Sequence, residues 1–468
     1  MSEFLDQSGL STYSTLVRSS ITAARPTVTL VTLKSTGWTN KTQTVTVAGI
    51  SSDEAAQRII PIAHADSRSA YNEAGCKGIG QGEGSLTFGC ETVPSVDLKV
   101  WVEVKGVVDK TPPPPPPKIY GVSWDGSSST TLTRTDDSTN FSNPVAYMSG
   151  ISNYGSPFDN LMPWSGMVRS IRDCGEVVSI PKFWYKLTQN GMGINIQIAD
   201  SAVDGFSVCP ACMDRGDGKG ERDVVYIGRY HCRSSDYKSY GGSLPKINIP
   251  RATARSDIHA LGSTVWQSDF LMTFTIWLLY IVEYANWNSQ AVIGYGCGNN
   301  SGVQNMGYTD FMPYHTGTTA SARTTYGAAT QYRNIEGLWD NCCDWMDGCY
   351  YNNNGMMVIL NPSAFSDSSG GVLVGMPPYD HNGHSWISAL SVKTVSGLPP
   401  LFIVSGVSGG DSTYVPDYWS YNASSPCLRR GGNYGRYLNH GMFYVGCTGI
   451  FDEYAFASTG CRLLDLGI

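Results

Sequence analysis

Thr111-Pro-Pro-Pro-Pro-Pro-Pro-Lys118 divides the chain. Consecutive prolines lock φ at about −65° and populate polyproline II, which advances about 3.1 Å per residue and acts as a semi-rigid spacer. No packed core runs through such a stretch, so the flanking residues must fold separately. The run predicts a linker over residues 108–118; recognition by an SH3-type partner is the other use of such a sequence. A length of 468 residues agrees, because single cores stop growing near about 250–300 residues.

Upstream of the prolines the apolar period is two. Thr27-Val-Thr-Leu-Val-Thr-Leu33, Gln43-Thr-Val-Thr-Val47, Ile59-Ile-Pro-Ile-Ala63, Ser85-Leu-Thr-Phe88 and Leu98-Lys-Val-Trp-Val-Glu-Val104 read as strands separated by Gly, Asn, Asp and Pro turns. They predict an all-β, immunoglobulin-like sandwich over residues 25–107, with no catalytic constellation, which makes it a spacer. Before it, Phe4, Leu5, Leu10, Tyr13, Leu16, Val17 and Ile21 recur at near-helical spacing. A short amphipathic helix over residues 1–24 is expected. Such a helix is marginal alone in water, so its stripe calls for docking, onto a larger assembly, onto copies of itself or onto its own next domain.

Downstream, residues 119–468 read as one large, loop-rich domain. The chain holds 52 glycines, and clusters such as Gly294-Tyr-Gly-Cys-Gly-Asn-Asn-Ser-Gly302 argue for packed loops. Ser268 to Asn286 is the best helix, with Trp277, Tyr280, Ile281 and Tyr284 apolar and Glu283 beside them. Its apolar part, Phe270 to Val282, is too short to cross a hydrocarbon core of about 30 Å and reads as a buried helix.

Charged residues make up only 15% of the chain and the formal net charge is −7. Without a basic stripe a nucleic-acid partner is not expected, and neither is membrane insertion. The surface must be covered by Ser, Thr, Asn, Gly and Tyr, the mixture from which adaptable binding faces are made. Met1-Ser-Glu-Phe-Leu-Asp-Gln7 lacks the charged-then-apolar pattern of a secretory signal. The 13 cysteines show no even framework and are expected to be reduced, buried thiols. Together these features fit a component assembled in a cytoplasm and released by lysis.

Chemistry-bearing residues are sparse. Cys209-Pro-Ala-Cys212 suggests a zinc knuckle or redox pair but lacks a second pair at suitable spacing, with His231 and Cys232 about twenty residues on. Asp214, Asp217, Glu221 and Asp223 crowd a Gly-rich turn that could hold calcium, or form a salt-bridged surface turn, without the register of a calcium loop. There is no His-x-x-x-His pair, nucleophile elbow or phosphate loop. Paired carboxylates for glycoside cleavage need only spatial proximity and stay open.

Four segments recur in an order that carries a resemblance. Trp277-Leu-Leu-Tyr-Ile-Val-Glu-Tyr-Ala285, Asn334-Ile-Glu-Gly-Leu-Trp-Asp-Asn-Cys-Cys-Asp-Trp345, Leu428-Arg-Arg-Gly-Gly-Asn-Tyr434 and Gly460-Cys-Arg-Leu463 resemble the formylglycine-generating-enzyme type of C-type-lectin fold. With Ile180-Pro-Lys-Phe-Trp-Tyr-Lys186, Asp214-Arg-Gly-Asp-Gly-Lys-Gly-Glu-Arg-Asp223 and Asn286-Trp-Asn-Ser-Gln-Ala-Val-Ile-Gly-Tyr-Gly296, residues 120 onward look still more like the variable proteins of diversity-generating retroelements and phage tail proteins. The resemblance implies a multidomain chain: an N-terminal helix that anchors it to tail or baseplate proteins, the sandwich, and an α+β C-type-lectin-like head. It implies a homotrimeric, non-enzymatic receptor-binding protein at the virion's tail tip, assembled in the host cytoplasm. The receptor would be a bacterial surface protein or glycan. The alternatives are a glycan depolymerase, a formylglycine-generating-type oxidase, or a bacterial surface-displayed variable protein. Cys427, Cys447 and Cys461 lie in the region where that oxidase family keeps its active cysteines but do not match the catalytic positions.

The resemblance also places a diversified face at about residues 411–464. Residues 411–460 hold no Lys or Gln and one each of Trp, Glu and Met, a composition that adenine-directed codon diversification permits. Tyrosines crowd there beside Asn, Ser, Arg and His, and amphipathic aromatics are over-represented among binding hot spots. The expected receptor-binding residues are Tyr414, Asp417, Tyr418, Trp419, Tyr421, Arg430, Asn433, Tyr434, Arg436, Tyr437, Asn439, His440, Tyr444, Thr448, Phe451, Asp452, Glu453, Tyr454 and Phe456. Gly431, Gly432, Gly441, Phe443 and Gly460 are expected as framework. No catalytic residue, cofactor or confident metal ligand is expected, with calcium at the Asp214 turn left open.

Overall fold

A computed structural model describes residues 26–54, 57–105, 116–298, 300–378, 385–421, 426–435, 438, 440–447 and 455–467. The expected N-terminal helix and most of the proline linker lie outside them. The protein is mostly β, with 37% strand and 11% helix, and divides into two compact units between Pro115 and Pro116.

In the first unit, Leu98–Lys105 is the centre of a three-stranded antiparallel sheet, flanked by Thr27–Leu33 and Arg58–Ala63. Alternation explains the placement: Leu98, Val100, Val102 and Val104 are buried, whereas Lys99, Trp101 and Lys105 point outward. A second sheet orders Thr42–Thr46, Ser85–Gly89 and Lys77–Gly82. Val31 and Leu33 from the first sheet, Leu86 and Phe88 from the second, and Val47 and Ile50 between strands share one core. Period two had located five of these strands. It missed Lys77–Gly82 because Lys-Gly-Ile-Gly-Gln-Gly shows neither alternation nor β-branched enrichment.

The second unit is built around the helix Phe270–Tyr284, in which all 15 residues are buried. Where the sequence suggests one apolar face, the structure covers every side, since sheet strands, loops and the C-terminal segment all pack on it. Asp269 caps its start by accepting a hydrogen bond from the Met272 N–H at 2.8 Å. Its last carbonyls, those of Val282 and Glu283, accept from the buried Arg134 guanidinium at 2.9 and 2.6 Å. The two threonines within it satisfy themselves by bonding back to the carbonyls of Asp269 and Leu271. No helix among the described residues is long and apolar enough to cross a membrane.

Three sheets enclose that helix and position the C-terminal segment. One five-stranded sheet orders Ser207–Val208, Trp184–Asn190, Gly193–Ala199, Ile119–Ser123 and Thr133–Asp136. Another places the final strand, Leu463–Asp465, between Val265–Gln267 and Val224–Gly228. The largest, of nine strands, runs from Val372–Gly375 through Cys343–Asn352, Cys427–Arg430 and Val415–Trp419 to Leu401–Val407, with Thr459–Gly460 pairing parallel to Cys343–Asn352. All 13 cysteines are free thiols, and all but Cys90 are buried.

Phe274, fully buried on the helix, meets the ring of Phe402 with centroids 4.6 Å apart. Phe274→Ala should lower stability by about 3–5 kcal/mol, read as a shifted midpoint in urea unfolding. A loss below about 1 kcal/mol would mean that the helix is not the centre of the core.

Candidate functional site

Asp344 holds the C-terminal segment to the rest of the unit. Its Oδ2 accepts from Arg430 Nη2 and Arg462 Nε, each at 3.0 Å, and its Oδ1 lies 2.7 Å from His231 Nδ1. All four side chains are buried. Asp344, Arg430 and Arg462 each come from a different one of the ordered sequence segments. Burial pushes the Asp344 carboxyl up, but His231, Arg462 and Arg430 together hold it well below the usual carboxylate range. Burial likewise pulls the Arg430 guanidinium down to about 10 and His231 below the ordinary imidazole range despite the attraction of Asp344. A carboxylate oxygen only accepts, so His231 Nδ1–H is the donor to Asp344. Arg462 spends its remaining donors on the carbonyls of Gly228, Arg229, Glu336 and Gly337. A group so fully consumed has no capacity for chemistry; it fixes geometry.

The fourth ordered segment, the helix, joins through a second latch. Trp277 Nε1 donates to the carbonyl of Met442 at 2.8 Å, and the Met442 N–H donates to Ser289 Oγ at 3.0 Å. On either side, the N–H groups of Gly441 and Phe443 donate to the two carboxylate oxygens of Asp417, at 2.5 and 2.9 Å. Burial pushes the Asp417 carboxyl up to about 7, against the pull of these two N–H groups. Close approach explains the glycines: a Cβ on Gly441 would lie 2.6 Å from Asp417 Oδ1. Gly431, at φ +68°, would place one 2.5 Å from the Leu338 carbonyl oxygen.

Burial sorts the expected face residues. Asp417, Trp419, Tyr421, Arg430, Asn433, His440 and Tyr444 are buried and in this chain face the interior. Tyr421 donates to the Asn352 carbonyl at 2.8 Å, Asn433 turns its own loop by accepting from the Gly435 N–H, and His440 stacks on Tyr444 at 3.7 Å. Sequence crowding of aromatics does not distinguish these from outward-facing rings. Tyr414, Tyr418, Tyr434 and Phe456 are half-buried. Tyr418 sits edge-on to Trp386 at 4.4 Å, and Phe456 lies against Trp345 and the Arg429 guanidinium. Arg436, Tyr437, Asn439, Thr448, Phe451, Asp452, Glu453 and Tyr454 lie outside the described residues.

The other sequence candidates are occupied by ordinary partners. At the Gly-rich turn Asp214 accepts from the Gly216 N–H, Asp217 pairs with Arg222, and Lys182 pairs with Asp223 and Glu221. Cys209 and Cys212 are buried beside one another, and the pair pushes the Cys212 thiol up, the Cys209 hydrogen bond first and burial second. Among the described residues no group of three or more His, Cys, Asp or Glu is placed to hold a metal ion. Where an arginine joins two carboxylates, as Arg333 joins Glu283 and Asp159 and Arg255 joins Asp347 and Asp367, the carboxylates are held as ion-pair partners. Asp344, Arg462, Arg333 and Asp159 are not individually legible in the sequence, because ion pairs far apart in sequence leave no periodic trace, and His231, which the sequence offers as a remote metal-ligand candidate, instead pairs with Asp344.

Compared with models of known protein families and with curated proteins, the chain matches none.

Asp344→Ala leaves two buried arginines uncompensated and should cost about 3–5 kcal/mol, measured by chemical unfolding; a loss under about 1 kcal/mol would remove the cluster from its central place. Because the folded Asp417 carboxyl titrates near 7 and a free carboxyl near 3.8, the folded state holds the extra proton between those values. Its contribution to stability therefore falls as pH rises from about 4 to 7. The pH slope of urea unfolding over that window should flatten in Asp417→Asn, and an unchanged slope would contradict this assignment.

Proposed function

We propose that the chain is a receptor-binding protein of a bacteriophage tail: a non-enzymatic adhesin in which an immunoglobulin-like spacer carries a C-type-lectin-like head whose C-terminal face contacts a bacterial surface protein or glycan. The observation that carries this reading is the tying of the four ordered segments to one another by the Asp344 cluster and the Trp277–Met442 latch. The order of those segments is what resembles the lectin-like variable proteins. A buried frame that fixes the backbone at Arg430, Gly441, Phe443 and Arg462 leaves neighbouring outward positions free to vary without loss of fold, as a diversified face requires.

The half-buried Tyr418 and Tyr434 then belong to the contact surface, with large amphipathic rings held at low entropic cost. Affinity through one such face would be modest, and several copies on a virion, as homotrimers docked by their N-termini, would raise it by avidity. Labelled full-length protein, mixed with a panel of bacterial strains, should bind some strains and not others. Tyr418→Ala with Tyr434→Ala should weaken that binding at least tenfold while leaving the melting temperature within a few degrees. Binding to no strain, or depolymerisation of a strain's surface polysaccharide by the protein, would overturn the reading.

A further inference from the structure

Of the 13 thiols, that of Cys90 alone is not buried. Cys90 stands one residue beyond the strand Ser85–Gly89, and Cys76 stands one residue before Lys77–Gly82, the strand paired with it. Lys77 is in register with Gly89, so the same antiparallel register carried one residue outward sets Cys76 opposite Cys90. Backbone hydrogen bonds define the kind of pair. The Cys90 N–H donates to the Lys41 carbonyl at 3.0 Å and the Cys76 N–H to the Tyr71 carbonyl at 3.1 Å, so neither is spent across the pair. Facing residues of this non-hydrogen-bonded kind have Cα atoms about 4.5 Å apart and side chains at their closest, within the span of about 4.4–6.8 Å that a disulfide bridges. Side-chain direction agrees. Leu86 and Phe88 are buried, Cys90 follows at the same parity, and both thiols pack in the core that those side chains form.

We propose that Cys76 and Cys90 are a redox pair, which a small-molecule disulfide such as glutathione disulfide converts into a cross-strand staple. The other adjacent thiols, Cys209 with Cys212 and Cys232 with Cys461, are wholly enclosed, whereas the half-buried Cys90 opens this pair to solvent. Burial pushes both thiols up, Cys76 to about 11, and only at Cys90 does a cation, Lys41, oppose the rise. Cys90 is therefore the attacking thiol. Its thiolate, formed by loss of the proton to water, attacks one sulfur of glutathione disulfide and expels a glutathione thiolate. Cys76 then loses its proton and attacks the Cys90 sulfur, and the second glutathione thiolate leaves. Two protein thiols are oxidised, one external disulfide is reduced to two thiols, and the two protons released are taken up by the leaving groups. The closed loop, residues 76–90, contains the Gly-rich Lys77–Gly82, which stands at the edge of its sheet with few side chains to hold it. A cross-link here restricts the open forms of the hairpin. The pair concerns the first unit alone and is independent of the adhesin reading.

Peptide mass mapping of the folded full-length chain after incubation with glutathione disulfide tests this. A linked peptide containing Cys76 and Cys90 should accumulate while the other cysteines remain thiols. In Cys76→Ser, or in Cys76→Ala if the serine variant does not fold, Cys90 should instead keep a stable glutathione adduct. Thermolysin cleavage within residues 77–89 should slow at least about tenfold in the linked chain and recover on reduction with dithiothreitol. A lasting glutathione adduct at Cys90 of the unaltered chain would overturn the proposal, as would a Cys90 link between two chains or a reaction that needs denaturant. An unchanged cleavage rate in the linked chain would overturn the stapling role.

Discussion

Everything at the C-terminal end of this protein depends on one buried carboxylate. Asp344 pairs with Arg430 and Arg462 and orients His231, and these residues come from two strands and two connecting segments that are distant in sequence. Burying such a group is expensive, and a well-packed apolar replacement is often no less stable. What the cluster supplies is geometry. Each guanidinium has planar, directional donors, and Arg462 uses them on four backbone carbonyls, so the terminal strand can take one register only.

The helix Phe270–Tyr284 performs the complementary task from the apolar side. It is buried on every face because the sheets and the loop containing Met442 wrap around it. Its indole donor at Trp277 reaches the same loop that Asp417 grips by two backbone N–H groups. Asp417, Ser289 and the apolar helix thus converge on residues 441–443. Loop backbone that would otherwise need water is satisfied internally, which is the condition for a long irregular segment to hold its shape.

The strands of the first unit were legible in sequence because alternation is a local property: Leu98, Val100, Val102 and Val104 announce their own face. The long helix was legible for its apolar run, although not its complete burial, which depends on what the rest of the chain puts around it. The Gly-rich strand Lys77–Gly82 was invisible for want of side chains to read. At the candidate site the glycines were legible as framework. The outward or inward direction of each aromatic was not, since Tyr421 and Tyr444 differ from Tyr418 only in tertiary surroundings. The polar partnerships of Asp417 and Asp344 are long-range and equally silent in sequence.

The central claim is that a fixed frame and replaceable outward positions are interleaved within residues 411–467. Substituting every residue of this segment singly, and scoring the full-length variants for protease resistance, tests it most directly. The account predicts that Asp417, Arg430, Gly431, Gly441 and Arg462 tolerate almost no replacement, whereas Tyr418 and Tyr434 accept most residue types with the fold intact. Equal sensitivity of the two groups would contradict it.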